Sequence, residues 1–170
     1  MISGTNPRLV FKRIIAYLFT LLVMTSIFVF SAQPAKESTK TSKAITRKIV
    51  DAVTKNKNIS QKKKNELVKK WNNFMRKLAH FSLFLLLGIS GFASASLTFI
   101  KKGKHYIQKN ALYTFLFCVL YAISDEVHQI FVPGRSAQGS DLLIDSAGSA
   151  VGIIIIWFIF YLWARKKAVA

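Results

Sequence analysis

The chain has 170 residues, 52% of them hydrophobic, and carries a net charge of +18 from 25 Lys+Arg against 7 Asp+Glu. Its apolar residues are pooled into long blocks, which excludes an ordinary soluble domain and points to an integral membrane protein. The basic aqueous parts call for anionic partners such as lipid headgroups or envelope precursors, and the lack of any zinc-finger or RNP spacing sets nucleic acid aside.

In chain order, Arg8, Lys12 and Arg13 precede an apolar block that predicts a first span over residues 14–31. The block is longer than a signal-peptide core, and the SAQPA that follows is a poor cleavage site, so the span is read as retained. Residues 34–77 form a long basic connection, with 14 Lys and Arg against Glu37, Asp51 and Glu66. Ile45, Ile49 and Val53 recur every four residues, as do Leu67 and Trp71, followed by Phe74 and Leu78; both sets fit one face of an amphipathic helix. Ser60 is a candidate N-cap for the second helix, and residues 56–58 read as the break between the two. Two basic helices in a headgroup layer and a basic loop without a partner are equally compatible with this pattern.

A second span is predicted over residues 78–100, with Gly88, Gly91 and Ala95 as small packing positions and Lys101, Lys102 and Lys104 as a closing basic turn. The third, over residues 110–130, is cleanly apolar for only about 20 Å of a core about 30 Å thick. Its last turns carry Asp125, Glu126, His128 and Gln129, and Pro133-Gly134 stops the helix. The fourth span, residues 142–163, has Gly148 and Gly152 at GxxxG spacing, with Trp157, Tyr161 and Trp163 as an interfacial belt and Arg165, Lys166 and Lys167 as an anchor. Cys118 is the single cysteine, so no intramolecular disulfide forms. The fold class is therefore an all-α membrane protein. Four transmembrane helices and a basic, amphipathic-helical loop between the first and second make one membrane domain over residues 1–170.

With four spans, the end of the first, the start of the second, the end of the third and the start of the fourth share one membrane face, whichever side is out. Those places hold Ser31 and Gln33; Lys77 and His80; Asp125, Glu126, His128 and Gln129; and Asp141 and Asp145. Arg135 lies in the turn between the last two groups. Lys77 and His80 are three apart, while Asp125, His128 and Gln129 are spaced for one helix face. Asp141, Asp145 and Ser149 repeat at four, beside Gly148. Ionisable groups inside a membrane cost about 2.5–3.5 kcal/mol each on insertion scales, so their convergence marks a binding site, a metal site or a structural polar network. Carboxylates with His80 and His128 could hold a divalent cation, but no HExxH or CxxC is present, and no nucleophile elbow, P-loop or dinucleotide fingerprint supports a catalytic template.

The pattern resembles the VanZ-like family of small bacterial membrane proteins, named for a teicoplanin-resistance protein. The matching residues are Lys77-x-x-His80-Phe81, Ser124-Asp125-Glu126-x-His128-Gln129-x-Phe131, Arg135-Ser136 and Asp141-x-x-x-Asp145-x-x-Gly148, with Ser31 and Gln33 after the first helix. The resemblance implies a multi-pass protein of the bacterial plasma membrane and a link to glycopeptide susceptibility. It supplies no biochemical mechanism.

The expected function is therefore non-catalytic binding of an anionic lipid headgroup or envelope precursor that modulates teicoplanin-type susceptibility. Its polar site would be Lys77, His80, Asp125, Glu126, His128, Gln129, Arg135, Asp141, Asp145 and Gly148, with no cofactor and no metal. The alternatives are a metal-assisted membrane enzyme acting on a lipid-linked phosphate and a structural subunit. Charge favours placing the basic loop inside; the signal-anchor character of the first span and the resemblance favour the N-terminus inside, and the latter orientation is adopted.

Overall fold

A computed structural model describes residues 6–55, 58–99 and 104–169. The expected basic turn at residues 100–103, part of the break at 56–57 and the side chains of Lys104, Trp163, Lys166 and Lys167 lie outside the described residues.

Among the described residues the chain is all helical, with five helices and no strand: α1 Pro7–Ser31, α2 Ala35–Val53, α3 Gln61–Thr98, α4 Lys104–Ile130 and α5 Gly139–Val169. Four of them, α1, α3, α4 and α5, are long and apolar enough to cross a membrane. Three of the expected spans fall within one of these helices each, and the second, over residues 78–100, falls in α3 as far as its end at Thr98. The helices start earlier than the apolar blocks because the capping signals lie upstream. At α1, Asn6 accepts a hydrogen bond from Arg8 N at 3.0 Å, with Pro7 in the first turn. At α3, Ser60 caps Lys63 N, as its position suggests.

The basic connection folds as a helical hairpin. α2 runs away from the end of α1, and the first half of α3 returns beside it. The apolar face marked by Ile45, Ile49 and Val53 is exposed, as are Trp71, Phe74 and Leu78. Contact between the two helices uses the other side instead: Thr46, Val50 and Thr54 are buried with Val68 and Asn72, and Ser42 Oγ donates to Asn72 Oδ1 at 2.8 Å. Lys64 pairs with Asp51 at 3.3 Å, and Arg47 bonds Asn65 across the hairpin. Thr, Val and Asn side chains of modest size thus take the inner positions, where two helices approach closely, and the larger apolar and aromatic ones, with Val53, face outward.

α3 is the central element, in contact with all four other helices and most broadly with α5. The basis is glycine. A Cβ on Gly88 would stand 2.2 Å from Ser149 O, one on Gly148 2.5 Å from Phe81 O, and one on Gly152 2.2 Å from Leu85 O. Backbones of α3 and α5 therefore touch directly, as small-residue packing in a membrane requires. Next to this seam, Val23 and Ile27 of α1, Phe84 and Leu87 of α3, and Cys118 and Ala122 of α4 form the apolar core. Tyr121 Oη ties α4 to α1 by donating to Met24 O at 2.7 Å.

Between α4 and α5 the chain reverses at Gly134, which takes φ +74, a left-handed conformation that a side chain would strain. Ala35 N donates to Pro133 O at 3.2 Å, so this reversal is held against the start of α2.

Candidate functional site

The turn at Pro133-Gly134 sends Arg135 back across the end of α1. Helix C-termini leave carbonyls without intrahelical partners and carry partial negative charge. Arg135 supplies a donor there, Nη2 to Phe30 O at 3.1 Å, and just beyond the helix its Nε donates to Gln33 O at 2.9 Å. Its Nη1 donates to Gln129 Oε1 at 3.1 Å. Burial and the nearby Arg76 draw the guanidinium below its ordinary pKa, with Asp125, Glu126 and Asp141 acting in the opposite sense.

Gln129, oriented by Arg135, turns its amide on the carboxylates. Its Nε2 donates to Asp125 Oδ2 at 2.9 Å and, at 3.5 Å, to Glu126 Oε1. Ser31 Oγ, the last residue of α1, also donates to Asp125 Oδ2, at 2.8 Å. Glu126 Oε2 accepts from Gln138 N at 2.7 Å, and Gln138 O then accepts from Asp141 N and Leu142 N as α5 begins. Asp125, Glu126 and Gln129 are all buried, consistent with their having internal partners.

A second group forms between α3 and α5. Lys77 Nζ lies 3.1 Å from both Asp141 Oδ1 and Ser140 Oγ. One turn deeper, His80 Nδ1 faces Asp145 Oδ1 at 3.9 Å. Asp145 is 0% exposed, and neither of its carboxylate oxygens has a hydrogen-bond partner among the described residues; the same holds for His80 Nδ1. Gly148, three residues beyond Asp145, is one of the positions at which α5 meets the backbone of α3.

The structure thus gathers Lys77, His80, Asp125, Glu126, Gln129, Arg135, Asp141 and Asp145 at one end of the bundle. His128 differs. Spacing groups it with Asp125 and Gln129, yet its ring stacks on Phe28 of α1 with centroids 4.5 Å apart, and its Nδ1 is unpartnered. A separation of three residues leaves about 60° between two side-chain directions on a helix, which is enough to divert one of them to a neighbouring helix.

Several participants left no mark in the polar residues picked out from the sequence. Arg76 and Asn73 line a cleft with Lys77, His80, Asp141 and Asp145. Arg76 stands four residues before His80, so helical spacing contained the signal, hidden within a long basic run. The main-chain acceptors of Arg135 carried a signal too, since the last carbonyls of α1 need donors. The amide of Gln138 had none, because the loop path that brings it to Glu126 has no sequence pattern.

A comparison with curated proteins and with solved structures finds no match. A family model described as VanZ/LLP1 matches residues 15–161, a stretch that runs from α1 to the far end of α5 and includes every residue of the polar end. With four membrane-spanning helices and a match over most of its length, the chain belongs to the VanZ/LLP1 family of membrane proteins.

Proposed function

We propose that the polar end binds the anionic headgroup of a lipid or lipid-linked envelope precursor, and that this binding modulates susceptibility to teicoplanin-type glycopeptides without chemistry on the ligand. The protein acts in the bacterial plasma membrane with its N-terminus inside and its polar end on the outer face.

The observation that carries this reading is a groove of about 410 Å³ between the end of α1, α2 and α3. Phe30, Ile45, Met75, Ala79 and Leu83 supply an apolar wall, and Arg76 and Arg135 stand in the same groove as its cationic groups. A groove apolar along its length with two guanidinium groups suits an amphiphile with an anionic head. Arg135 commits three donors to carbonyl and amide acceptors, which leaves two of its five N–H groups available. Arg76 has no ion-pair partner among the described residues. The groove's lining holds these two guanidinium groups and no carboxylate, an arrangement that an anion would balance. The basic hairpin above the groove, with its Lys and Arg excess, raises the local concentration of anionic lipid.

The test uses Arg76→Gln, a change that removes charge without removing a structural hydrogen bond. Teicoplanin susceptibility should rise several-fold in cells producing the variant at wild-type abundance, and phosphatidylglycerol retained by the purified protein should fall relative to phosphatidylcholine. Unchanged susceptibility and unchanged lipid retention at equal abundance would reject the reading.

A further inference from the structure

The deepest polar residues of the bundle are not explained by an anionic ligand. Asp125 and Asp145 are themselves acidic, and neither forms an ion pair with Lys or Arg among the described residues. Lys77 is engaged by Asp141, and Arg135 by two carbonyls and Gln129. Asp145 is fully buried with both oxygens unpartnered, a state that costs several kcal/mol for a carboxylate left in a low-dielectric interior.

His80, Asp125 and Asp145 each offer one ligating atom, and the three atoms lie within 4.8 Å of one another. The 3.9 Å between His80 Nδ1 and Asp145 Oδ1 is too long for a hydrogen bond, whose heavy atoms stand about 2.7–3.2 Å apart. Two ligands bound at about 2.0–2.1 Å to one ion stand about 3.3 Å apart at the tetrahedral angle, so a small contraction converts this unbonded pair into a chelate. Asp125 is already oriented for the task. Ser31 and Gln129 both donate to its Oδ2, which fixes the carboxylate and leaves Oδ1 for a ligand. Support of that kind behind a ligating carboxylate is what metal centres require. The three residues come from α3, α4 and α5, and the α3–α5 glycine seam, which begins at Phe81 and Gly148, brings the helices carrying His80 and Asp145 close together.

We infer that His80, Asp125 and Asp145 form a centre for one divalent transition-metal ion of the Zn²⁺ or Mn²⁺ class. One imidazole and two carboxylates favour these ions over Mg²⁺ and Ca²⁺, which prefer all-oxygen shells. Three protein ligands leave at least one coordination position open. His80 and Asp145 also line the cleft that contains Asn73, Lys77 and Asp141, whose volume of about 50 Å³ accommodates water on the ion and gives it a path from the aqueous phase. The ion would supply the positive charge that the buried carboxylates lack. His80 lines the anion-binding groove as well, but the inference does not rest on that reading, since Asp125 and Asp145 lie outside the groove's lining and the ligand has the opposite charge.

The experiment uses the full chain, purified in detergent micelles without a polyhistidine tag. The protein is stripped with EDTA, equilibrated with Zn²⁺, Mn²⁺ or Mg²⁺ singly, and freed of loose ions by gel filtration before elemental mass spectrometry. With only 7 acidic residues and a net charge of +18, the chain offers little background for cations. About one Zn²⁺ or Mn²⁺ per chain is expected, with Asp145→Asn and His80→Gln weakening binding at least tenfold and Ser31→Ala by about tenfold through the loss of its hold on Asp125. If Asp145→Asn fails to fold, Co²⁺ added to the wild-type protein still decides the matter, because an ion bound by one nitrogen and two oxygens in a low-symmetry site gives visible d–d bands. Substoichiometric metal, equal binding by the wild type and the folded ligand variants, a preference for Mg²⁺, or no change in the Co²⁺ spectrum would each overturn the assignment.

Discussion

Arg135 is a single side chain with three separate acceptors: the carbonyls of Phe30 and Gln33 and the amide oxygen of Gln129. These acceptors diverge, so only a planar fork with donors along several edges reaches all of them. Arg135→Lys keeps the charge and loses this reach. It should destabilise the protein by about 1–3 kcal/mol, because acceptors at the end of α1 are left unpaired, and thermal unfolding in detergent would show it. Arg76→Gln should leave the same melting curve unchanged, which separates the groove's charge from the architecture. This contrast also shows what was legible residue by residue. The identity of the polar residues and their convergence at one membrane face followed from span counting, since four crossings force four chain segments to one side. Their pairing did not follow. Acceptors contributed by main chain, such as Phe30 O and Gln33 O, leave no trace in side-chain chemistry, and the diversion of His128 onto Phe28 depends on a neighbour whose position only packing decides.

At the scale of elements, the α3–α5 seam is the strictest contact in the molecule. A methyl at Gly152 would lie 2.2 Å from Leu85 O, a backbone atom that cannot give way without moving the helix. Gly152→Ala should therefore cost about 1–3 kcal/mol, read as a lower thermal midpoint or a loss of monodisperse protein on gel filtration. Gly139→Ala is the matched control: nothing lies within 4 Å of its added methyl, so the midpoint should stay level or rise slightly. GxxxG spacing predicted the small-residue face on α5 before any partner for it was known. The partner on α3, Gly88 against Ser149 and Leu85 against Gly152, required the structure. α2 shows the opposite limit. Its apolar period identified a helix correctly but did not show the face that meets α3: Thr46 and Val50 pack inward with Val68 and Asn72 of α3, while Ile45, Ile49 and Val53 face out. In a membrane protein an apolar stripe has lipid as an alternative partner, so periodicity alone does not say what it meets.

At the scale of the whole molecule, orientation decides which ligands are reachable. Cysteines placed at Ser38 and Ser140 in a Cys118→Ser background mark the hairpin and the first turn of α5, both on the polar side of the bundle. With the N-terminus inside, a membrane-impermeant maleimide should label both in intact cells, and protection of both until lysis would put the polar end inside. The four spans were legible because lipid demands long apolar runs of every crossing helix. That one of them continues unbroken far outside the apolar zone was visible only as an absence of stop signals between Trp71 and Leu78.

That continuity has a mechanical consequence. α3 is one 38-residue rod, about 57 Å long, and roughly half of it stands clear of the span. The backbone contacts at Gly88 pin it about three-quarters of the way along, like a pivot. A tilt of about 5° around that point would carry Lys64, about 36 Å away, through about 3 Å, and His80, about 12 Å away, through about 1 Å. Whatever leans on the hairpin, whether bilayer curvature, a polyanion or another protein, is thus geared down by a factor of about three before it reaches the layer where His80 faces Asp145. The hairpin is a long lever arm, and the polar end of the bundle feels its motion in small, measured steps.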